Sequence, residues 1–572
     1  MAAEGQAKRI ETFLEAAVIF AFFTAILFLG PATASEHKVT HDYPVGYGAS
    51  DAFQHQSRAD AIKSMGQYRN EAPYMMVGRQ DIVGFYPPVL YHITVLLSDL
   101  SGLKIYDALF LIMGLAITLG TLVAYYLAKN LGKAAAYLTL PFTIFITTGA
   151  PFLGIITFGQ MPSGLSGLFL AATAWAITKF ELQKSPFLVA IFLAGTIMTH
   201  TSETLFFGIM MVALLTIMAV PEIIRQKLGG AKKVFADNKK ILAAIIIAII
   251  PTLYFWPMFI GIWLKMQPYR FSIQTVSASF PAATVLPTQF GFMLWALVAG
   301  IVAAVLFLAQ GKKESASLIQ SPRAFTLIFS GYMLLAGFGT YAGFGLRSFQ
   351  ERLFWPVTLA PLAGFGIYFL LKLLLSALKK ENAILPVAIA AAAVLIVAVI
   401  LTYYKAPSTG LMNANHWEGM RWIAENTPKD AKVYVVYSDV YSQTSVLYNT
   451  ERVNYFLDLQ TFVDSIKSYA SSGNFTRKML VTFTSDSGAG LPYRIGFLKF
   501  GQHVKDTPTS GVVDICGSDY YLIDKSMPEQ VLSQANMYLF QKFINANMTV
   551  EHDNAYVTVL KNNNVGGDCL AE

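Results

Sequence analysis

Charged side chains are scarce in this chain. They make up 13% of its 572 residues, whereas a soluble domain carries about 25%. Hydrophobic residues account for 55%, so the composition excludes an ordinary soluble protein and indicates a polytopic membrane protein. The net charge of +7 does not imply a nucleic-acid partner, because the basic residues lie in short loops between apolar segments, as membrane topology requires.

Motifs for soluble nucleotide chemistry and for zinc binding are also missing. No glycine-rich nucleotide loop precedes a helix, and no cysteine or histidine pattern has zinc-ligand spacing. A soluble enzyme that uses ATP or a nucleotide sugar therefore has no support. The two cysteines, Cys516 and Cys569, fit either one disulfide in an extracytoplasmic domain or two unpaired thiols.

Apolar stretches long enough to cross a bilayer, about 20 residues each, recur along residues 1–404. The first, Ile10 to Ala34, lacks the context of a cleavage site and is interpreted as a retained signal anchor. The fold class predicted is an α-helical membrane protein with about eleven or more transmembrane helices. The predicted spans are roughly 12–34, 106–128, 134–150, 162–179, 186–200, 203–220, 241–264, 288–310, 324–346, 353–378 and 384–404.

Basic residues predict the orientation of these spans. Lys8 and Arg9 precede the first span, and every second loop after it is basic, which places the N-terminus in the cytoplasm of a multi-pass plasma-membrane protein. Most of the unusual polar residues then fall on the outer face. The outer regions are 35–105, 149–164, 200–203, 265–288, 347–352 and the tail from 405 onwards.

A proline pair in the first outer loop predicts a short helix. Tyr86-Pro87-Pro88 is typical of a helix start, and the apolar run from Val89 to Leu100 is too short to span. We interpret it as an interfacial helix. Treating it as a span would invert every later loop and place the basic ones outside.

The composition changes at Lys405. HWEGMRWIAENTPKDAKVYVVYS, which begins at His416, predicts an amphipathic helix, a turn and a strand. Further strands are predicted near 478–484, 520–523 and 555–560. Residues 405–572 are therefore predicted to form a mixed α/β extracytoplasmic domain after a membrane domain at 1–404.

The first candidate site lies in the first outer loop. Asp51, His55 and Arg58 share one face if the segment is helical. A carboxylate beside an imidazole and a guanidinium suits proton abstraction next to an anion. The alternative is that Asp51 is a turn residue in a loop containing glycine and serine.

A second set of candidates is cationic. Arg347, Glu351 and Arg352 lie together between two long apolar spans, and Arg270 lies in another outer loop. Guanidinium groups fork onto phosphate oxygens, so these residues are candidates for a phosphate clamp. Arginines at span ends can instead snorkel to lipid headgroups.

A third group of candidates occupies tight outer segments. His200 and Glu203 flank a turn between two spans, where ionisable groups usually face the bundle interior; a helix cap is the alternative. Gln160, in FGQMPSG, and His92, after the proline pair, are weaker substrate-binding candidates, since packing explains them equally well.

The ordered motifs SDAFQH, FYPPVLYH, FGQMP, HTSE and RLFWPVTLAPLAG resemble the GT-C superfamily of polytopic glycosyltransferases. The resemblance covers roughly 1–400 and implies inverting transfer of a sugar from a polyprenyl-phosphate donor at the outer membrane face, with Asp51 as general base. The implied partners are that lipid-linked sugar, an acceptor glycan, lipid or protein, the bilayer, and possible partner subunits.

The chain also resembles, distantly, the archaeal and eukaryotic oligosaccharyltransferase catalytic subunit. WIAENTPKDAKVYVV is similar to the entry into that family's C-terminal domain, and Asp439 in VYSDVYSQ stands where the family has its Trp-Trp-Asp-Tyr-Gly signature. The loop GAPFLGIITFGQMPSG contains no carboxylate and TVSASF lacks the family's glutamate. Asp51 and Glu203 alone are a thin oxygen ligand set for Mg²⁺ or Mn²⁺, so no cofactor is expected. A transporter and a catalytically silent scaffold remain alternatives to an enzyme.

Overall fold

Helices dominate the structure, a computed structural model of the chain. It describes residues 2–48, 50–66, 82–83, 87–147, 159–183, 185–253, 255–256, 282–310, 321–339, 355–437, 449–458, 478–482, 503–504, 510–525 and 547–567. The described helices, in chain order, are α1 Ala2–Leu27, α2 Ser50–Met65, α3 Val89–Ser101, α4 Ile105–Ala128, α5 Lys133–Thr143, α6 Met161–Gln183, α7 Phe187–Ile197, α8 Thr201–Gln226, α9 Leu228–Asp237, α10 Lys239–Ile249, α11 Ala282–Phe290, α12 Leu294–Gln310, α13 Pro322–Ala336, α14 Pro356–Ala377, α15 Ile384–Tyr403 and α16 Ala414–Asn426.

Six helical segments in the described part are long and apolar enough to cross a membrane: Thr12–Ala32, Ile105–Leu131, Ser202–Gln226, Leu286–Gln310, Pro356–Ala377 and Glu381–Tyr403. Of the other predicted spans, 162–179 coincides with α6, which has 23 residues, and the rest coincide with helices of 11 to 15 residues. Helix α7 has 11 residues, about 16 Å of helix, against a hydrocarbon core of about 30 Å. The count of about eleven spans stays a prediction.

Small residues bring the central helices into close contact. Helix α14 packs along α12 and α5. A Cβ atom added to Gly366 would lie 2.2 Å from the carbonyl oxygen of Ala296, and one on Gly300 would lie 2.2 Å from that of Leu362. Only glycine permits this backbone approach, which is the usual way that membrane helices pack tightly.

The bundle has a basic end. The side chains of Tyr125, in the last turn of α4, and of Lys129, just after α4, bind Glu15 near the start of the apolar segment Thr12–Ala32. Lys179, late in α6, donates to Asn130 at 2.9 Å. These contacts bring predicted cytoplasmic loops together at one end of the bundle. Helix α4 has 24 residues and is about 36 Å long, so its first residue lies at the opposite end, next to the predicted first outer loop.

The described strands are β1 Ile82–Val83, β2 Lys432–Tyr437, β3 Val453–Asp458, β4 Lys478–Thr482, β5 His503–Val504, β6 Ser510–Asp514, β7 Tyr520–Asp524, β8 Met548–Asp553 and β9 Val557–Asn562. Five of them form a mixed sheet in the C-terminal region, in the order β3-β2-β7-β9-β8; β2 pairs in parallel with β3 and β7, and β9 pairs antiparallel with β7 and β8. The predicted helix corresponds to α16, and the predicted strands correspond to β2, β4, β7 and β9.

Candidate functional site

Helix α2 carries the first group of candidates on one face. The backbone is helical over Ser50–Met65, so Asp51, His55 and Arg58 share a face, as their spacing predicts. His55 is 2% exposed and Arg58 7%, and the Arg58 Nη1 atom lies 3.5 Å from His55 Nδ1. The side chain of Asp51 lies outside the described part of the structure.

His55 joins three segments that are distant in sequence. Its Nδ1 accepts a hydrogen bond from the Tyr91 hydroxyl at 2.8 Å, and its Nε2 donates to the carbonyl oxygen of Gly159 at 3.0 Å. The rings of His55 and Tyr91 stack with centroids 5.9 Å apart. These contacts hold α2 against α3 and against the FGQMP segment, one turn of helix away from Asp51.

Burial lowers the pKa of His55 well below its ordinary value of 6.5, and the positive charge of Arg58 lowers it further, as does nearby His200. The hydrogen bond to Gly159 acts in the opposite direction. The imidazole is therefore neutral at pH 7 and carries its proton on Nε2. Both ring nitrogens take part in these hydrogen bonds, which fix the orientation of the imidazole between α2, α3 and Gly159.

Glu203 forms a second buried polar cluster. Its Oε1 accepts from the Ser163 hydroxyl at 2.5 Å, and its Oε2 lies 2.5 Å from His200 Nδ1. Glu203 lies in the first turn of α8, where a negative charge is favourable. His200 occupies the N-cap position of α8, but its side chain makes no capping hydrogen bond to the backbone. The hydrogen bond from Ser163 in α6 to Glu203 instead ties α8 to α6.

The FYPPVLYH element lies against the HTSE turn. The backbone N–H of Val89, the first residue of α3, donates to the carbonyl oxygen of Met198 at 2.9 Å. Within α3, Leu90, Tyr91 and Thr94 are buried, whereas His92 lies on the exposed side. Tyr91 therefore reaches His55 from the buried side of α3.

The remaining candidates differ in how much the structure describes. Gln160 is half-buried, and its carbonyl oxygen accepts from the backbone N–H of Gly164; it follows Gly159, whose φ of +77° suits glycine. Four candidates lie outside the described residues, namely Arg270, Arg347, Glu351 and Arg352. Among the described residues, no three His, Cys, Asp or Glu side chains cluster as metal ligands.

Sequence reasoning missed a buried pair beside the first loop. His41 Nδ1 lies 2.6 Å from Asp107 Oδ1, its backbone N–H donates to Asp107 Oδ2 at 3.0 Å, and its Nε2 donates to the Ser35 carbonyl oxygen at 2.8 Å. An aspartate at the start of an apolar span is a recognisable signal. Tyr91 and Ser163 gave no such signal, since aromatic and hydroxyl side chains are common in membrane helices.

A helical domain with long apolar helices, followed by a C-terminal sheet, is also the architecture of the solved glycosyltransferase structures to which this chain is similar. The oligosaccharyltransferase of Archaeoglobus fulgidus tethered to an acceptor peptide aligns with a TM-score of 0.54 at 11% identity, over 96% of this chain and 89% of that chain. AglB, an oligosaccharyltransferase from the same organism, in complex with an inhibitory peptide and a dolichol-phosphate, aligns with a TM-score of 0.52 at 14% identity, over 82% of this chain and 70% of that chain. ArnT from Cupriavidus metallidurans bound to undecaprenyl phosphate aligns with a TM-score of 0.47 at 12% identity, over 96% of this chain and 97% of that chain.

No protein-family model and no curated protein sequence matches the chain. The likeness to solved structures therefore establishes the fold, and the resemblance to GT-C glycosyltransferases predicted from the sequence motifs is confirmed at that level.

Proposed function

We propose that this protein is a membrane glycosyltransferase that transfers a sugar from a polyprenyl-phosphate donor to an acceptor hydroxyl or amide at the extracytoplasmic face. The observation that carries this function is the convergence of SDAFQH, FYPPVLYH, FGQMP and HTSE around His55 and Glu203 in a GT-C fold. These motifs are far apart in the chain, and packing alone does not require their polar side chains to meet.

Asp51 is the proposed general base. Its carboxylate takes the proton from the acceptor as the acceptor attacks the anomeric carbon from the face opposite the phosphate. The bond from that carbon to the phosphate oxygen breaks, and the polyprenyl phosphate leaves with the electron pair. Inversion follows, through an oxocarbenium-like transition state of the kind known in glycoside hydrolysis.

The leaving phosphate requires cations. We assign this role to Arg347 or Arg352, aided by Arg270 and His200, because guanidinium stays protonated and stabilises charge that builds as the bond breaks. Arg58, buried beside His55, supplies a further positive charge. The related A. fulgidus structure holds a dolichol-phosphate, which supports a polyprenyl-phosphate substrate.

A disulfide supports the extracytoplasmic placement of the C-terminal domain. Cys516 is disulfide-bonded, and the only other cysteine, Cys569, lies outside the described residues. Disulfides persist in oxidising compartments and are rare in the cytosol. The basic end of the bundle would then face the cytoplasm.

Peptide glycosylation is the second candidate function. It is favoured by the alignment over 96% of the chain with the A. fulgidus oligosaccharyltransferase tethered to an acceptor peptide. The loop around Gln160 has no carboxylate, in contrast to the acidic pair expected for a metal-dependent enzyme of that kind.

A reconstituted transfer assay tests the function directly. Purified protein in vesicles that contain a labelled polyprenyl-phosphate sugar should convert label into product on addition of glycan, lipid or peptide acceptors. Mass spectrometry should find a polyprenyl phosphate co-purifying with the protein. Absence of transfer to all three acceptor classes, with no such lipid bound, would leave a catalytically silent scaffold.

Arg347→Ala should weaken binding of the lipid-linked donor about tenfold or more while leaving acceptor binding nearly unchanged, because a charge-assisted contact to phosphate is lost. The measurement is KM for each substrate separately. Arg323→Ala, which changes an arginine near the basic end, is the matched control. Equal weakening of donor and acceptor binding would contradict a phosphate clamp.

A further inference from the structure

Helix α2 is held on a second side, next to the contacts of His55. Gln56 follows His55 and points about 100° away around the helix. It is 2% exposed, and its Nε2 donates to Asn449 Oδ1 at 2.9 Å and to Asp60 Oδ2 at 3.1 Å. Asn449 belongs to the C-terminal domain, between β2 and β3, so adjacent residues of α2 bind the membrane domain and the C-terminal domain.

Charged groups surround the contact between Gln56 and Asn449. Burial raises the pKa of Asp60 to about 7, and the negative charge of Glu451 also raises it, whereas the hydrogen bond from Gln56 and the positive charges of Lys63 and Arg421 act to lower it. Arg421 Nη1 donates to Glu451 Oε1 at 2.8 Å. The C-terminal domain therefore presents an ion pair towards the middle of α2.

The residues that lead into α2 are tied to the same domain. The N–H of Gly46 donates to the carbonyl oxygen of Thr409 at 2.5 Å, and the N–H of Leu411 donates to that of Tyr47 at 2.7 Å. Gly410 has a φ of +106°, and a Cβ atom there would lie 2.7 Å from the Tyr47 backbone, so this ladder requires glycine.

A second backbone contact joins the far side of the first loop to the C-terminal domain. Strand β1, Ile82–Val83, pairs antiparallel with β5, His503–Val504. The first loop is therefore attached to the C-terminal domain before, within and after α2.

We propose that the C-terminal domain positions Asp51 by holding α2 through the Gln56–Asn449 hydrogen bond and the 46–47/409–411 ladder. Asp51 lies between these two attachments, four residues after Tyr47 and five before Gln56. Asn449 is thus a positioning residue for the general base; this role rests on the proposed function, whereas the contact itself does not.

Asn449→Ala in the full-length protein tests this role. Amide hydrogen exchange in residues 50–66 should become about two- to tenfold faster, the change expected when one net hydrogen bond is lost. The kcat for transfer should fall about tenfold with KM for the donor unchanged, because a displaced base affects only the transition state. The unfolding temperature should stay close to that of the wild type, which separates positioning from loss of fold.

Two further variants complete the test. Asn426→Ala also removes one side-chain hydrogen bond, from exposed Asn426 to the Trp422 carbonyl oxygen in α16, and should change neither readout. Gln56→Ala removes the same contact from the other side, so the double variant with Asn449→Ala should be no worse than the more severe single variant. Gln56→Ala also decides the question if Asn449→Ala does not fold.

Additive losses in the double variant, or exchange in residues 50–66 that matches the wild type, would overturn the positioning role. If the wild-type protein shows no transfer at all, the proposed function fails, and exchange alone then decides whether the C-terminal domain holds α2. Faster exchange with unchanged kcat would show that the contact orders the helix but does not position the base, which also overturns the role.

Discussion

Replacing Asp51 by asparagine should reduce kcat for sugar transfer by about 10²- to 10⁴-fold, the usual contribution of a general base. Asparagine has nearly the same shape as aspartate but cannot take the acceptor proton at neutral pH. KM for the lipid-linked donor should change little, since donor contacts are assigned to the arginines. The measurement is steady-state transfer from a labelled polyprenyl-phosphate sugar.

Asp42→Asn provides a matched control for this substitution. Asp42 is exposed and lies in the same outer loop, so the same chemical change there should leave kcat within about twofold of the wild type, as is usual for surface positions. A fully active Asp51→Asn variant would remove Asp51 as the base. Loss of donor binding together with kcat would instead point to a role in holding the substrate.

Gly366→Val should destabilise the membrane domain by about 3 kcal/mol, the upper part of the range for overpacked cores. The new side chain would begin 2.2 Å from the Ala296 carbonyl oxygen and 2.4 Å from the Gly300 backbone nitrogen. Neither is the end of a flexible side chain, so α12 and α14 must separate. The unfolding temperature in detergent should fall by several degrees.

Gly208→Val is the comparison for Gly366→Val. Gly208 occupies an exposed position of α8, and a Cβ atom there meets nothing within 4 Å. Both substitutions place a β-branched residue in a membrane helix, so the difference between them isolates the contact between helices. An unfolding temperature for Gly366→Val equal to that for Gly208→Val would show that α12 and α14 separate at no measurable cost.

Several features of the fold were predictable because they depend on local pattern. The proline pair predicted α3, and the structure begins that helix at Val89. The pattern after Lys405 predicted a helix and several strands, and α16, β2, β4, β7 and β9 are found there. Strands β3, β6 and β8 were missed, and β1 and β5 have two residues each, too short for any periodicity to be visible.

The candidate site was less predictable. The i, i+4 and i+7 spacing placed Asp51, His55 and Arg58 on one face, which follows from helix geometry alone. The sequence did not distinguish His92 from its neighbour Tyr91, because that choice depends on which side of α3 packs against α2.

The sequence alone determined that this is a membrane protein with its unusual polar residues in a few segments between apolar runs. The bilayer itself requires apolar spans and basic loops, so composition and the alternation of basic residues indicate them without any knowledge of tertiary contacts. Only the tertiary structure decided that His55 meets Gly159 and that Gln56 meets Asn449. Those contacts join residues far apart in the chain, and the packing of whole helices and domains, rather than any local pattern, brings them together.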